Sequence, residues 1–286
     1  VAAVLAAGPV EQATRGGYGG DDELFSYTNR LIMGKAVLRS RALETEPVLI
    51  AVWDGGRRGA PGGTTECVAA WRKTGHPLVV IDPVRAVEVD RAAVVEPRRP
   101  VAADAPAGAG PARQTVAILF ADLVGYSRLA EQQVPGYVRG FLAAIADTLR
   151  RRRLHPLCKN TWGDAICLVF ADALEAADCA LAIRDTIRRT DWSRHGLPAH
   201  LHAGPAYRLD EPLAERLNFY GYHVNQAARI EPITSPGNVY ASEAFAALLC
   251  LDPRNPFDCR HVGVVVLPKD FGSYPIYHIK RLTEVG

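Results

Sequence analysis

The sequence predicts an α+β chain in two parts, a smaller α/β segment with a parallel sheet and a larger domain of antiparallel strands mixed with helices. Three observations carry that reading. Apolar runs at 47–53 and 76–81 flank a glycine-rich loop and a helical stretch, the spacing of a β-α-β unit whose strands must run parallel. The string R-R-P-V-A-A-D-A-P-A-G-A-G-P-A-R at 98–113 holds no apolar side chain larger than Val and is rich in Pro, Ala and Gly, the composition of a linker. From residue 114 onward, strand-length apolar runs alternate with helical periodicities. The expected division is therefore 1–83, a linker at 84–113, and 114–286.

In the first part, Asp21 and Asp22 stand where they could cap a helix. Its core face would hold Leu24, Phe25, Leu31, Ile32, Ala36 and Leu38, and it would end near Arg41. Pro47 to Trp53 reads as a buried strand and Asp54 to Gly63 as a glycine-rich loop. Thr64 or Thr65 then caps a helix through Trp71, and His76 to Ile81 is a second buried strand. The loop matches neither G-x-G-x-x-G nor the P-loop pattern, so it reads first as a flexible connection, while its place at the C-terminal end of a parallel strand leaves a ligand site open. The whole loosely resembles a partial α/β Rossmann-like or TIR-like module of the regulatory or sensory kind.

The larger domain opens on V-A-I-L-F-A-D-L-V-G-Y-S, Val116 to Ser127, a buried strand that ends in Asp122 and breaks at Gly125. Val134, Val138, Leu142, Ile145 and Leu149 follow at helical spacing. That helix closes on Arg150 to Arg153, cations that a helix C-terminus favours. Leu154 to Lys159 and Ala165 to Phe170 read as a strand pair turning at Thr161 to Asp164. A helix at Ala173 to Arg189, a strand at Ala199 to Tyr207, a loop N-F-Y-G and a helix at Tyr222 to Arg229 come next. A strand at Asn238 to Ala241, a short helix to Leu251, and strands at Cys259 to Leu267 and Tyr274 to His278 complete the series. With its helices on one face, this is an α+β domain with a ferredoxin-like βαββαβ core.

A formal charge of +2 over 286 residues argues for neither nucleic acid nor an acidic membrane surface, and no apolar run approaches the ~20 residues of a membrane span. No nucleic acid and no membrane are expected as partners. The six cysteines lack any C-x-x-C pair and several fall within apolar patterns, as buried free thiols of a reducing cytoplasm do. The chain begins at Val1 rather than Met, without a signal-peptide pattern, and reads as a piece of a longer protein.

The chemistry lies in carboxylates at strand ends. Asp122 and Asp164, each beside a glycine, suit a hard divalent cation that keeps room for substrate phosphates. Three segments in order, F-A-D-L-V-G-Y-S (Phe120 to Ser127), N-T-W-G-D (Asn160 to Asp164) and G-Y-H-V-N-Q-A-A-R-I-E (Gly221 to Glu231), with H-A-G-P at His202 to Pro205, resemble the class III nucleotidyl cyclase catalytic domain. This is the family of adenylate and guanylate cyclases, and the resemblance covers Gln114 to about Arg281. It implies a head-to-tail homodimer that turns a nucleoside triphosphate into a 3′,5′-cyclic nucleotide and diphosphate, with two Mg2+ or Mn2+ ions per site.

By the same resemblance, Asp122, Asp164 and the Leu123 carbonyl would hold metal. The backbone N–H groups of Val124, Gly125, Tyr126 and Ser127, at the start of the following helix, would bind the β- and γ-phosphates. Asn225 would orient the ribose, and Arg229, one turn later, would stabilise charge on the α-phosphate. Lys269 in L-P-K-D-F-G would bind the triphosphate. In-line attack of a 3′-hydroxyl does need metal and a fixed guanidinium, so the residue types agree with the chemistry.

Two positions depart from the family pattern. Where adenylate cyclases read the base with Lys and Asp, this chain carries Asn160 and Asn218. A carboxamide both donates and accepts, so the base stays open. Uncharged residues there occur in bacterial members thought to use ATP, which favours ATP. A pyrimidine cyclase making cyclic CMP or UMP and a guanylate cyclase are the alternatives, and a catalytically inactive nucleotide-sensing dimer is an alternative of another class. Lys159 should face away from the side Asn160 faces, and Trp162 reads as core filling. The first part is expected to bias how two cyclase domains dock.

Overall fold

The structure, a computed structural model, describes residues 11–14, 17, 21–56, 59–83, 111–194, 197–230, 234–267 and 272–284. Its N-terminal elements are helix α1 (Glu23–Ala42), strand β1 (Leu49–Val52), helix α2 (Thr64–Thr74) and strand β2 (Leu78–Ile81). β1 and β2 pair in parallel, Leu49 opposite Leu78 and Val52 opposite Ile81, as a β-α-β unit requires. The caps differ from expectation. Gly63, not Thr64 or Thr65, stands at the α2 N-cap, and Asp22 makes no side-chain capping bond to α1. Asp21 instead accepts from Arg113 Nε at 2.8 Å. The two strands were expected to be buried, yet Ile50 and Val52 are 65% and 62% exposed. Only two strands pair here, so among the described residues one side of this small sheet stays uncovered.

The larger domain contains β3 (Arg113–Ala121), α3 (Ala143–Arg152), β4 (Cys158–Trp162), β5 (Ala165–Phe170), α4 (Ala173–Ile187), β6 (Ala199–Glu211) and β7 (Arg216–Tyr220). It continues with α5 (Tyr222–Ile230), β8 (Val239–Ser242), α6 (Glu243–Cys250), β9 (Phe257–Leu267) and β10 (Gly272–Arg281). The sheet runs β4-β5-β3-β6-β8-β10-β9, with β7 paired to β6, and its first four strands with α3 and α4 form the βαββαβ core. β3 is central and buried on both faces. Ala117, Leu119 and Ala121 join the cluster under α3, α4 and α6, while Val116, Ile118 and Phe120 join Phe219 and Ala227 of β7 and α5. Helices thus lie on both faces rather than one, because α5 and β7 return over the side that α3 and α4 leave open.

Three further expectations shift. The helix after β3 opens with one α-helical turn, Val134–Gly136, and passes into a π-helical segment, Tyr137–Leu142, which leaves Val138 at the surface and buries Tyr137 and Phe141. Trp192 packs edge-on against both rings, at 6.2 and 6.0 Å between centroids, and that aromatic contact sets the buried side. The strand expected at 154–159 is Cys158–Trp162, pairing with β5 around a tight turn at Gly163 and Asp164. The N-F-Y-G loop is the end of β7, where Asn218 pairs with Leu209 of a β6 that runs to Glu211. Lys159 is exposed and Asn160 buried, as strand alternation requires.

α1 buries only part of the predicted face: Leu31 and Leu38 are buried, while Phe25, Ile32 and Ala36 are exposed. Its buried side, Tyr27, Leu31, Val37 and Leu38, packs between Trp71 of α2 and Ala246, Ala247 and Cys250 of α6. α1 is also tied to β3, where Glu23 accepts from the Thr115 N–H at 3.0 Å. All six cysteines are free. Among the described residues no helix is long and apolar enough to cross a membrane.

The closest helix contact is testable. A Cβ on Gly34 would lie 2.2 Å from the Ala247 carbonyl oxygen, so Gly34→Ala should cost about 1–3 kcal/mol in urea unfolding by overpacking. If α1 did not pack on α6, the same change would stabilise the chain by about 1 kcal/mol through helix propensity.

Candidate active site

Burial of β3 on both faces fixes where its end stands, and Asp122 follows directly. The turn between β4 and β5, with Gly163 at φ +67°, brings Asp164 beside it. The two carboxyls are close enough to share a hydrogen bond. Burial, reinforced by the charge of Asp164, pushes the Asp122 carboxyl up to about 6, while the Leu123 N–H, donating to its Oδ1 at 2.8 Å, opposes the rise. Tyr137 braces the turn: its hydroxyl donates to the Gly163 carbonyl at 3.1 Å, and its ring meets Tyr126 edge-on at 4.8 Å. Burial raises the Tyr137 phenol pKa, so it stays neutral.

Two carboxyls that resist ionising together make an oxygen-only donor pair that fits a Mg2+- or Mn2+-type ion. Among the described residues no three His, Cys, Asp or Glu side chains gather into a metal cage. An ion here would complete its shell with water and substrate oxygens.

The phosphate segment is not a helix start. After Gly125, at φ +80°, the chain makes a three-residue 3-10 turn, Tyr126–Arg128, and then extends through Leu129 and Ala130. The Tyr126 N–H donates to the Leu123 carbonyl at 3.2 Å. A long helix dipole therefore does not act at Val124 to Ser127, because the left-handed Gly125 and extended Leu129 interrupt the chain before any α-helix begins at Val134.

Asn160 and Asn218 meet. Asn160 Nδ2 donates to Asn218 Oδ1 at 3.0 Å, and Asn218 Nδ2 donates to Glu211 Oε2 at 2.8 Å. Asn160 is 2% exposed and Asn218 8%. On α5, His223, Gln226, Ala227 and Ile230 face inward, leaving Asn225 exposed and Arg229 half-buried one turn apart. The inner face is anchored by His202, whose Nε2 lies 2.9 Å from His223 Nδ1 and whose Nδ1 lies 2.8 Å from Ser242 Oγ. A Cβ at Gly204 would lie 2.2 Å from His223 Nδ1, so the H-A-G-P glycine makes room for that stacked pair.

The predicted residues thus fall into three groups: Asp122, Leu123 and Asp164; Asn160 and Asn218; Asn225 and Arg229. Lys269, Glu231 and the side chain of Trp162 lie outside the described residues. Tyr137 and Glu211 are additions. Reading R-L-N-F-Y at 216–220 as a strand returning along β6 would have found Glu211.

The carboxylate pair predicts a pH dependence. The folded pKa of Asp122 lies above the ordinary 3.8, so in the metal-free chain the contribution of Asp122 to stability is present below 3.8 and lost as pH rises through about 6. Metal binding competes with that proton, so Mn2+ should raise Tm far more at about pH 7.5 than at about pH 5. Asp122→Asn should abolish most of the Mn2+ response while raising the metal-free Tm at the higher pH. Equal responses to Mn2+ at both pH values would contradict this.

Residues 110–280 match the family model described as the adenylate and guanylate cyclase catalytic domain. A pH-sensitive adenylate cyclase of Mycobacterium tuberculosis is 28% identical over 175 residues, covering 60% of this chain and 42% of that protein. A Rhizobium meliloti relative, whose name assigns it provisionally to the adenylate cyclases, is 32% identical over 138 residues, covering 46% of this chain and 22% of that protein. The chain thus spans less than half the length of either curated relative. Among solved structures, the adenylyl cyclase CyaB from P. aeruginosa aligns with a TM-score of 0.51 at 16% identity, over 60% of this chain and 96% of that one. Adenylate cyclases from Trypanosoma brucei in their monomeric state align at 0.52 and 16%, over 59% and 88%. These structural likenesses are of fold. With the family model matched across well over half its length, the chain belongs to the adenylate and guanylate cyclase catalytic domain family.

Proposed function

We propose that the chain converts a nucleoside triphosphate, ATP foremost, to a 3′,5′-cyclic nucleotide and diphosphate at a site completed by a second copy. The observation that carries this is the Asp122–Asp164 pair, two carboxyls held together at a strand end with one pushed up to about 6. The reaction joins the ribose 3′-oxygen to the α-phosphorus and breaks the bond to the β-phosphate oxygen, so it concentrates negative charge on the phosphates. Mg2+ or Mn2+, held by Asp122, Asp164 and the Leu123 carbonyl, would supply the Lewis acid that acidifies the hydroxyl and neutralises phosphate charge. Asn225 orients the ribose, and the Arg229 guanidinium takes up charge growing on the α-phosphate. Val124, Gly125, Tyr126, Ser127 and Lys269 are assigned to the triphosphate, and Asn160 and Asn218 to the base.

Two copies are supported by β9, an outer strand that exposes Val262, Val264 and Val266 along one side. An uncovered apolar edge of this kind favours association. In this arrangement the carboxylate pair of one copy works with Asn225 and Arg229 of the other. We assign residues 1–83 as a regulatory unit, 84–113 as a linker and 114–286 as the catalytic domain, with α1 as the contact between the two units.

A second reading, a dimer that binds nucleotide without turnover, is favoured by the burial of Asn160 and Asn218 against each other. Incubating the purified chain with each of the four labelled ribonucleoside triphosphates and Mn2+ separates the two. Cyclic product is expected, and triphosphate bound but never converted would contradict the cyclase and establish the sensor. Arg229→Ala should lower kcat by about 10²–10³-fold with KM little changed. A rise in KM at unaltered kcat would instead make Arg229 a ground-state binder.

A further inference from the structure

We propose that Glu211 sets the direction of the Asn218–Asn160 carboxamide relay, so that the site offers the base one hydrogen-bond acceptor and selects amino bases, adenine and cytosine, over oxo bases, guanine and uracil. This rests on the reading of Asn160 and Asn218 as the base subsite.

The polarity of each amide follows from its neighbours. Asn218 Oδ1 accepts from the Phe219 N–H at 2.8 Å, while its Nδ2 donates to Glu211 Oε2 at 2.8 Å and reaches Tyr220 Oη at 3.4 Å. Flipped, Asn218 would set donor against donor at Phe219 and acceptor against carboxylate at Glu211, so one orientation survives. Asn160 is then fixed in turn. Its Nδ2 faces Asn218 Oδ1 at 3.0 Å and Cys158 Sγ at 3.5 Å, and a flip would oppose two carbonyl oxygens.

What remains is Asn160 Oδ1, buried and without a hydrogen-bond partner among the described residues. An unpaired buried acceptor is unfavourable, and a ligand that brings an N–H to it gains accordingly. Adenine and cytosine carry an exocyclic amine where guanine and uracil carry an oxo group. With that position of the base set against Asn160 Oδ1, the amine donates to it, while an oxo group in the same pose places lone pairs against lone pairs. Glu211 touches no base in this scheme. It is a positioning residue, holding Asn218 so that Asn218 can hold Asn160.

The test measures kcat/KM for ATP, CTP, GTP and UTP with Mn2+, and equilibrium binding of their α,β-methylene analogues, in the full chain and in Asn160→Leu, Glu211→Gln and Glu211→Leu. The unsubstituted chain should prefer ATP and CTP by roughly ten- to a hundredfold, the effect of one unpaired buried polar group. Glu211→Gln, whose amide oxygen still accepts from Asn218, should keep that preference. Glu211→Leu and Asn160→Leu should bring the four bases within a few-fold of one another. Equal handling of amino and oxo bases by the unsubstituted chain overturns the proposal, as does a preference that survives in Glu211→Leu. If Asn160→Leu does not fold, the two Glu211 variants decide. Binding with the predicted preference but no cyclic product would overturn the cyclase reading and sustain the relay.

Discussion

Two like charges held side by side are the constraint on which the site depends. Asp122 and Asp164 repel when both ionise, and only a rigid frame keeps them together. β3 supplies it, packed on one face by α3, α4 and α6 and on the other by β7 and α5. Because both faces are buried, a one-residue shift of register in β3 would exchange its side chains between two differently packed cores. The Tyr137 hydroxyl on the Gly163 carbonyl adds a brace at the second carboxylate. The site is thereby pre-formed around charge that a divalent cation and phosphates would balance.

The same sheet carries the other groups by different means. α5 leaves Asn225 exposed and Arg229 half-buried because its inner face is locked through His223, His202 and Ser242. Burial pushes the His223 imidazole pKa down to about 3, so this lock stays neutral at physiological pH. Tyr27 of α1 meets His223 edge-on at 5.5 Å, and its hydroxyl donates to the Ala203 carbonyl at 3.3 Å. α1 also pairs Lys35 with Glu243 at 2.8 Å, at the start of α6. The N-terminal helix thus touches the helix that bears Arg229 through one aromatic contact, a physical link by which the N-terminal unit would act on the site.

Much of this was legible in residue order. Buried strands such as Ala165–Phe170 announce themselves as apolar runs, and the β-α-β pairing followed from two runs and a helix. What was missed has physical causes. The side of α1 that is buried depends on α6, some two hundred residues away, so periodicity within α1 mistook Phe25 and Ile32 for core. A π-helical turn breaks the 3.6-residue pattern, which is why Val138 seemed to face inward. Val124 to Ser127 looked like a helix start because Gly125 ends a strand, but propensity cannot distinguish a 3-10 turn from a first α-helical turn. Glu211 is not legible in residue order because its partner Asn218 lies across a hairpin whose polar tip resembles a loop. Motif spacing makes Asp122, Asp164, Asn225 and Arg229 candidates, while the interactions that orient Asn160 and Asn218 exist only in three dimensions.

The central claim, that the carboxylate pair of one copy works with Arg229 of the other, is tested most directly by complementation. Asp122→Ala and Arg229→Ala chains should each be inactive alone. Co-expressed in equal amounts, they should regain about a quarter of the unsubstituted activity, since half the dimers are mixed and each mixed dimer has one intact site of two. No recovery from mixed dimers that demonstrably form would contradict the shared site and place both residues in a single copy.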